Sequence, residues 1–242
     1  MEAAAENGKA VFVMDRPNPN GHYVGGPVMK EGNFSFVGAF PIPIVYGMTV
    51  GELARMIHGM SWKKTAGLRL TVIPMTAYRR TDVVEPAAWP SPGLRSLKAI
   101  RAYPAVALFE PTVVSFGAGT EHSFLQYGHP DPRGGAHTFT PIPLRPKQKP
   151  RHEGLLCHGE KLQDLPLEKL PRFTTDLFVE MMKRLRLPKF VTEPRFLELL
   201  VGDKDVVRRM LAGEPYSKIE KDLRSELAEF RGRRAKYLLY GE

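Results

Sequence analysis

Several features that would restrict the class of this protein are scarce or missing in its sequence. There is one cysteine, Cys157, so neither an internal disulfide framework nor a cysteine-based zinc site is expected. No apolar run approaches the roughly 18 residues needed to span a membrane. Residues 1–10 lack the basic and apolar regions of a signal peptide. No internal repeat or low-complexity tract is present. These absences favour a globular domain with a hydrophobic core.

The composition provides for such a core. The chain has 242 residues, of which 43% are hydrophobic and 10% aromatic, and this length fits one large domain or two small ones. Its 35 Lys and Arg against 26 Asp and Glu give a net charge of +9, so a basic surface that attracts polyanions is expected. The 22 prolines and 22 glycines predict many shaped loops, where binding residues usually lie.

The segment at residues 11–21 is the reference point for the rest of the chain. An apolar run at residues 11–14 is followed by Asp15 and Arg16 in a proline-stiffened loop. Such a run is typical of a strand that is covered on both faces, and ligands in open α/β sheets bind beyond the carboxyl ends of strands. Asp15 and Arg16 are therefore candidate site residues. The alternative is an ion pair that anchors a turn.

The next segments alternate between helix and strand patterns. Thr49 and Glu52 have the spacing of a capping box, which predicts that a helix begins there. The predicted elements are this helix, which ends near Gly59, a strand at residues 68–73, a helix at residues 96–103 and a strand at residues 106–109 that ends at Glu110.

The C-terminal part of the sequence has a helical character. Residues 129–153 are rich in proline and glycine and mark the seam between subregions. Beyond the seam, apolar residues recur at helical spacing. Ser217 and Glu220 form a second capping-box pattern, which predicts the start of the last helix.

An ordered set of short motifs gives the chain a family resemblance. The motifs are Asp15-Arg16-Pro17-Asn18-Pro19, Phe36-Val37-Gly38, Pro41-Ile42-Pro43, Tyr46-Gly47-Met48-Thr49, Gly51-Glu52, Ser91-Pro92, Tyr103-Pro104, Leu108-Phe109-Glu110, Gly119-Thr120, Phe139-Thr140-Pro141, His152-x-Gly154, Cys157-x-Gly159 and Lys236-Tyr237-Leu238-Leu239-Tyr240. Each motif alone is weak, but their order and spacing over nearly the whole chain resemble the NamZ-like exo-β-N-acetylmuramidases, long catalogued as a domain of unknown function.

The resemblance implies a particular domain organisation. In this family a Rossmann-like subdomain comes first, and residues 1–5 look like the inside of its last helix. The expected division is a remnant of that subdomain at residues 1–20 and a C-terminal α/β subdomain at residues 21–242. The expected fold is α/β, with a mixed sheet, one strand left over from the Rossmann-like part and a helical C-terminal end. The resemblance also places the best candidate catalytic acid upstream, in a Gly-Pro-Glu-His-Gly stretch that this sequence lacks.

Candidate site residues follow from the chemistry that the resemblance implies. Glycoside hydrolysis usually needs two carboxyl groups, and Asp15 and Glu110 are the candidates because each follows a predicted strand. Muramic acid carries a lactyl carboxylate, which Arg16 is expected to bind by a two-pronged contact. The further substrate-binding candidates are Asn18, Thr112, Ser115, Thr120 and Glu121. The alternative is that Glu110 only caps a turn and that Ser115 is buried.

The sequence also departs from the family pattern. Residues 117–121 replace the usual Gly-Arg-Gly-Thr-Asp, residues 124–126 replace Phe-Glu-Gln, and residues 109–112 replace Phe-Glu-Gly-Thr. An arginine and a glutamate are thereby lost from neighbouring loops of the expected cleft. Either the substrate differs, or this copy has drifted from full activity.

The resemblance leads to an expected function with two alternatives. The leading expectation is a peptidoglycan-fragment glycosidase that releases terminal N-acetylmuramic acid from the non-reducing end, incomplete as given. The alternatives are a non-catalytic glycan-binding remnant and, less favoured, a binder of polyanions or nucleic acid. The expected partner is a peptidoglycan-derived sugar. No nucleic acid, membrane span, cofactor or metal is expected, since the histidines lack ligand spacing and Cys157 reads as a buried structural thiol. The family suggests the bacterial cell envelope or the exterior.

Overall fold

The computed structural model describes residues 1–241, and over that range the chain forms seven strands and seven α-helices. The strands are β1 (Ala10–Met14), β2 (Gly25–Val28), β3 (Pro43–Val45), β4 (Arg69–Ile73), β5 (Gln126–His129), β6 (His137–Phe139) and β7 (Cys157–Lys161). The helices are α1 (Glu2–Glu6), α2 (Val50–Gly59), α3 (Leu97–Val106), α4 (Asp176–Leu185), α5 (Pro194–Val201), α6 (Lys204–Leu211) and α7 (Tyr216–Ala235). Short 3-10 helices lie at Ala107–Phe109, Pro132–Gly134 and Leu167–Lys169.

The strands form three small sheets. β1 and β4 pair in parallel, with Ala10 opposite Arg69 and Met14 opposite Ile73. β2 pairs with β3 in antiparallel orientation, and the third sheet is antiparallel with the order β5-β7-β6. The predicted α/β class is confirmed. Parallel and antiparallel pairing both occur, but in separate sheets.

The prediction that β1 is covered on both faces is wrong. Its residues alternate in exposure, and Phe12 and Met14 are 66% and 68% exposed. Successive side chains of a strand point to opposite faces, and α2 packs against the other face of the β1–β4 sheet. A short apolar run therefore did not distinguish a strand covered on both faces from one covered on a single face.

The strand predicted at residues 106–109 is also wrong. Val106 is the last residue of α3, and a 3-10 helix follows at Ala107–Phe109. All four residues are 6% exposed or less, and a short buried apolar run has no periodicity that separates strand from helix. Glu110 consequently follows a helical turn.

Of the two predicted capping boxes, the first is confirmed and the second is wrong. The Thr49 hydroxyl accepts from the backbone N–H of Glu52 at 3.2 Å, and the Glu52 carboxylate accepts from the N–H of Thr49 at 2.9 Å. The last helix begins at Tyr216, one residue before the predicted cap Ser217. The N–H of Tyr216 donates instead to Asp176 Oδ1 at 2.8 Å, so a side chain from α4 supplies the cap.

The hydrophobic core lies between α3, the turn that follows it and the C-terminal helices, whose presence confirms the predicted helical end. Phe109, Phe178 and Phe230 are fully buried, and each such side chain contributes about 1.5–3 kcal/mol. The Phe109 ring stacks on Tyr127, with 4.7 Å between ring centroids. This packing fixes the position of the turn that carries Glu110.

Candidate functional site

Asp15 lies at the end of β1, against the N-terminus of α2. Its Oδ1 atom accepts hydrogen bonds from the backbone N–H groups of Gly51 at 2.8 Å and Arg16 at 3.0 Å. Its Oδ2 atom accepts from the hydroxyl of Thr49 at 2.6 Å and that of Tyr240 at 2.7 Å. A carboxylate offers about four lone-pair sites, so contacts within the protein use all of them.

Gly51 permits this close contact between Asp15 and α2. A Cβ atom at position 51 would lie 2.7 Å from Asp15 Cγ and 2.6 Å from Val72 Cγ1, which is far inside the normal separation of carbon atoms. The N-terminus of a helix also favours negative charge. The glycine of this motif is therefore explained by the position of Asp15.

Glu52 and Arg80 form a buried ion pair next to Asp15. They are 0% and 2% exposed, and two guanidinium nitrogens of Arg80 donate to the two carboxylate oxygens at 2.8 and 3.0 Å. The backbone N–H of Leu239 also donates to the carboxylate, at 2.8 Å. Burial alone would raise the pKa of Glu52, but these donors and the N–H of Thr49 outweigh burial and lower the pKa.

We call Asp15, Thr49, Glu52, Arg80 and Tyr240 the polar knot. It joins β1, the start of α2, the loop at Arg80 and the C-terminal tail. Arg80 also donates to the carbonyl of Tyr240 at 3.1 Å. Burial and the hydrogen bond to Asp15 raise the pKa of the Tyr240 hydroxyl to about 12. Motifs from opposite ends of the sequence therefore meet in one structural cluster.

Arg16 lies outside the polar knot and is exposed. Burial raises the pKa of the Tyr46 hydroxyl, and the charge of Arg16 acts in the opposite direction. The guanidinium is therefore close enough to influence the Tyr46 ring. Asn18, in the same loop, donates from its amide to the carbonyl of Met48 at 2.8 Å and accepts from the N–H of Asn20 at 2.9 Å. Both ends of the Asn18 amide thus hold the loop that presents Arg16.

Glu110 is half-buried directly after the 3-10 turn. Burial raises the pKa of its carboxyl group, and the nearby charge of Arg151 and the hydroxyl of Tyr103 only partly oppose this. Burial and the neighbouring Glu110 also raise the pKa of Tyr103, to about 12. Glu110 therefore holds its proton to higher pH than an ordinary glutamate, a property that a general acid requires.

Arg151 fixes the backbone around Glu110. Its guanidinium donates to the carbonyls of Val114 at 2.8 Å, Glu110 at 3.0 Å and Phe109 at 3.3 Å. The neighbouring His152 ring contacts the carbonyl of Val113 at 2.6 Å. Residues 151–152 therefore hold the turn in one conformation.

A cavity of about 240 Å³ is lined by residues of β3, of α3 and of the loop before β3, and neither Arg16 nor Glu110 is among its lining residues. Its lining is mainly apolar and includes the rings of Phe40, Tyr46 and Tyr103. Tyr46 is the residue influenced by Arg16, and Tyr103 is the residue that contacts Glu110. Aromatic rings with a few polar groups are typical of small-molecule sites in general. After the ligand class that the family resemblance implies, we call this space the sugar cavity.

Thr112 and Ser115 are buried, at 0% and 1% exposure. The Thr112 hydroxyl donates to the carbonyl of Phe109 at 2.8 Å and accepts from the N–H of Val114 at 3.0 Å. The Ser115 hydroxyl accepts from the N–H of Gly117 at 3.3 Å. Ser115 thus has the burial that the structural alternative expects, and direct substrate contact by either residue stays a prediction.

Thr120 and Glu121 lie in a different place. They line a small cleft of about 40 Å³ together with Arg95 and Arg145. The Thr120 hydroxyl donates to the carbonyl of Gly117 at 2.7 Å and accepts from the Gln126 amide at 2.8 Å. This cleft does not share lining residues with the sugar cavity, so the candidates fall into two groups.

Some residues near the sugar cavity were not identified as site candidates from the sequence. In the sequence Tyr46 and Tyr103 appear only as parts of motifs, and no pattern identifies Arg151 as a site residue. The adjacent His152 motif was the only local signal for Arg151. Another surface groove, of about 640 Å³, borders α4 and contains several charged residues. Two of them, Arg133 and Arg184, already form ion pairs with acidic side chains, so this groove is a weaker candidate.

The predicted thiol environment is observed. Cys157 is buried, and burial raises its pKa to about 11. In residues 1–241 no group of three or more His, Cys, Asp or Glu side chains could hold a metal ion. None of the helices described for this chain is both long and apolar enough to cross a membrane.

Comparisons with known proteins agree with the motif pattern. Residues 1–98 match the family model of the N-terminal part of exo-beta-N-acetylmuramidase NamZ, and residues 101–240 match the model of its C-terminal part. The Peptidoglycan beta-N-acetylmuramidase NamZ of Bacillus subtilis is 32% identical over 260 residues. That alignment covers 99% of this chain and 62% of the relative, so the chain spans less than two thirds of that protein's length.

Two solved structures are similar in fold. A DUF1343 family protein from Bacteroides fragilis is 38% identical with a TM-score of 0.94, over 100% of this chain and 69% of that one. A second DUF1343 family protein from the same organism is 22% identical with a TM-score of 0.81, over 99% of this chain and 68% of that one, and shows likeness of fold alone.

The α/β fold and the matched models together define the class of this protein. The chain belongs to the NamZ family of exo-β-N-acetylmuramidases. The two matched models meet between residues 98 and 101. The division of the chain at residue 20 stays a prediction.

Proposed function

We propose that this protein acts on peptidoglycan fragments as a glycosidase that releases terminal N-acetylmuramic acid from the non-reducing end. The observation that carries the proposal is the arrangement around the sugar cavity. Two of its lining tyrosines have charged neighbours: Glu110, whose pKa is raised, interacts with Tyr103, and the exposed Arg16 acts on Tyr46. Family membership supports the substrate class, since the Bacillus subtilis relative is named as a peptidoglycan β-N-acetylmuramidase.

Arg16 is the proposed ligand of the lactyl carboxylate. The loop that carries it is fixed by Asp15 and by both ends of the Asn18 amide, so little loop ordering is needed on binding. A bidentate guanidinium–carboxylate contact is among the stronger hydrogen-bonded contacts. The aromatic and aliphatic lining of the cavity suits the N-acetyl group and the lactyl methyl group.

Glu110 is the proposed general acid. Its proton would pass to the glycosidic oxygen as the bond between that oxygen and C1 breaks. Water then supplies the hydroxyl group that remains on C1 and the proton that returns to Glu110. In this proposal Asp15 is a positioning residue, because its four hydrogen bonds favour holding the Arg16 loop over reacting with the substrate.

The test is to measure turnover and binding with the same purified protein. Release of the chromophore from a chromogenic β-N-acetylmuramide reports hydrolysis, and calorimetric titration with N-acetylmuramic acid and N-acetylglucosamine reports recognition. Turnover together with preference for N-acetylmuramic acid is the expected result. Failure to prefer N-acetylmuramic acid would overturn the substrate assignment.

The same measurements separate the alternatives. Preference for N-acetylmuramic acid without turnover would indicate the glycan-binding reading, as expected if the catalytic acid belongs to the upstream stretch that the family resemblance implies. Affinity for any anionic polymer that falls steeply with salt would indicate a polyanion binder.

A further inference from the structure

A second cavity, of about 190 Å³, lies beside α3 and is separate from the sugar cavity. Its lining includes Asn20, His22, Tyr23, Arg101 and Arg172. Because an α-helix has 3.6 residues per turn, Arg101 projects about 200° around α3 from Tyr103, which lines the sugar cavity. We call this second space the arginine cavity.

The two guanidinium groups of the arginine cavity lack acidic partners. Among residues 1–241 neither Arg101 nor Arg172 forms an ion pair. Glu168 borders the cavity but is not within ion-pair distance of either arginine. Burial, and to a lesser degree the charge of Arg172, lower the pKa of Arg101. Arg101 is half-buried and Arg172 is exposed, and neither charge is neutralised by an ion pair within the described part of the chain.

Individual buried atoms in the same cavity also lack partners. Arg101 Nε and Asn20 Oδ1 are buried and have no hydrogen-bond partner within the described part of the chain. The Asn20 amide nitrogen donates to the carbonyl of Ile100 at 2.8 Å, so its orientation is fixed and the oxygen remains an acceptor. The Nδ1 atom of His22 is buried in the same way. All three atoms have almost no surface open to the cavity, so the groups that a ligand could reach are the guanidinium ends of Arg101 and Arg172.

The neighbouring rings hold the two arginines in place. His22 Nε2 lies 3.0 Å from an Arg101 guanidinium nitrogen, and because arginine only donates, the imidazole must be neutral with its proton on Nδ1. Burial and the two arginines lower the pKa of His22 to about 4, consistent with this state. The Arg172 guanidinium lies 5.1 Å from the centroid of the Tyr23 ring, in cation–π contact.

We propose that the arginine cavity binds a small organic anion through its carboxylate or phosphate group. Arg101 and Arg172 donate to the oxyanion oxygens, which planar guanidinium groups match well. This site does not depend on the proposed glycosidase function, because it is inferred from two cations outside the sugar cavity.

The test is calorimetric titration of the purified protein with three probes: glucuronate, glucose 6-phosphate and glucose. We expect the two anionic sugars to bind and glucose not to bind, and the better of the two identifies carboxylate or phosphate as the preferred group. The variants Arg172→Gln and Arg101→Met are expected to weaken binding at least tenfold. Arg224→Gln, an exposed change on α7 with the same loss of charge, is the matched control and is expected to bind like the wild type.

A further measurement keeps the proposal falsifiable. Arg101→Met is expected to unfold at a temperature no lower than the wild type, since it removes a half-buried charge that no acidic side chain pairs; a structural arginine would lower this temperature. Equal binding of glucose, no binding of either anionic sugar at millimolar concentration, or an equal loss in Arg224→Gln would overturn the proposal.

Discussion

Glu52 in the polar knot and Glu110 beside the sugar cavity are both withdrawn from water, yet their pKa values move in opposite directions. Burial raises the pKa in both cases, but in Glu52 the donors from Arg80, Leu239 and Thr49 outweigh it. In Glu110 the opposing contributions of Arg151 and Tyr103 are too small, and burial dominates. The number of donors that face a carboxyl group, more than its burial, separates a structural glutamate from one suited to proton transfer.

The arginines show the same contrast. Arg80 is paired with Glu52 and with backbone carbonyls, whereas Arg101 has a neutral histidine as its neighbour and no acidic partner among the described residues. The polar knot neutralises its charges internally, and the arginine cavity leaves its cations for a ligand. Several motifs of this family therefore specify the scaffold, and charges without a countercharge mark the places where binding is expected.

The most severe test of this comparison is Glu110→Gln. If Glu110 is the general acid, its amide cannot donate a proton in the same way, and turnover of a chromogenic muramide should fall by about 10²- to 10⁴-fold. Wild-type activity should decline as pH rises through the raised pKa of Glu110, because the acid form is lost. Glu229→Gln, an exposed change of the same chemistry on α7, is the control. Unchanged turnover in Glu110→Gln would remove Glu110 from the mechanism.

Arg80→Met tests the structural glutamate of the comparison, Glu52, by removing its ion-pair partner. It leaves Glu52 buried without its ion-pair partner, and breaking a buried pair typically costs about 3–5 kcal/mol of unfolding free energy. Chemical denaturation would measure the loss, with the exposed Arg224→Met as control. A loss below about 1 kcal/mol would show that the polar knot is not the structural cluster described here.

The pH dependence of the same variant gives an independent check. The folded pKa of Glu52 lies below its ordinary value of 4.5, so its stabilising contribution is present above that pH and is lost as pH falls through the lowered folded value. The difference in stability between wild type and Arg80→Met should therefore shrink on acidification. A stability difference that does not change with pH would mean that the Glu52–Arg80 ion pair is not its cause.

Arg16→Ala has a smaller expected effect and acts on binding alone. Loss of a charge-assisted bidentate contact, worth roughly 1.5–3 kcal/mol, corresponds to about a ten- to hundredfold weaker binding of N-acetylmuramic acid. N-acetylglucosamine lacks the lactyl group, so its binding should hardly change. Calorimetry on both sugars, with Arg224→Ala as the matched control, would measure this. Equal losses for the two sugars would make Arg16 a structural residue of the loop.

Local patterns in the sequence predicted what local interactions determine. The capping box of Thr49 and Glu52 lies within four residues, and the structure contains it. The prediction of a strand at residues 106–109 is wrong because this buried segment is apolar throughout. Such a segment shows neither the strand period nor the helix period. Asp15 was identified as the residue at the end of β1, but its hydrogen bond to Tyr240 joins residues 225 positions apart, and no local spacing encodes such a contact.

The residues of the candidate site, whose roles stay predictions, could be chosen from the sequence to a similar extent. Glu110 and Arg16 could be selected from motifs, because residue type and family resemblance suffice to choose candidates. The raised pKa of Glu110 depends on how deeply the turn is buried and on Tyr103 and Arg151, which only the fold brings to it. The absence of acidic partners for Arg101 is likewise a property of the packed chain, which a list of residue types does not contain.

Tyr240→Phe is the mildest change that tests the polar knot. It removes the hydroxyl that donates to Asp15 at 2.7 Å and accepts from the N–H of Met75 at 3.0 Å. Because the ring remains and the residue is partly exposed, we expect a loss of about 1 kcal/mol in unfolding free energy.

The raised pKa of the hydroxyl gives a second readout. Its folded value is about 12 against an ordinary 10.0, so its contribution is complete below pH 10 and is lost as pH rises through the folded value. The stability difference between wild type and variant should thus be constant at neutral pH and shrink in strong alkali, and comparison with the variant isolates Tyr240 from other buried tyrosines. A difference that grows with pH would mean that Tyr240 does not stabilise the knot through its protonated hydroxyl.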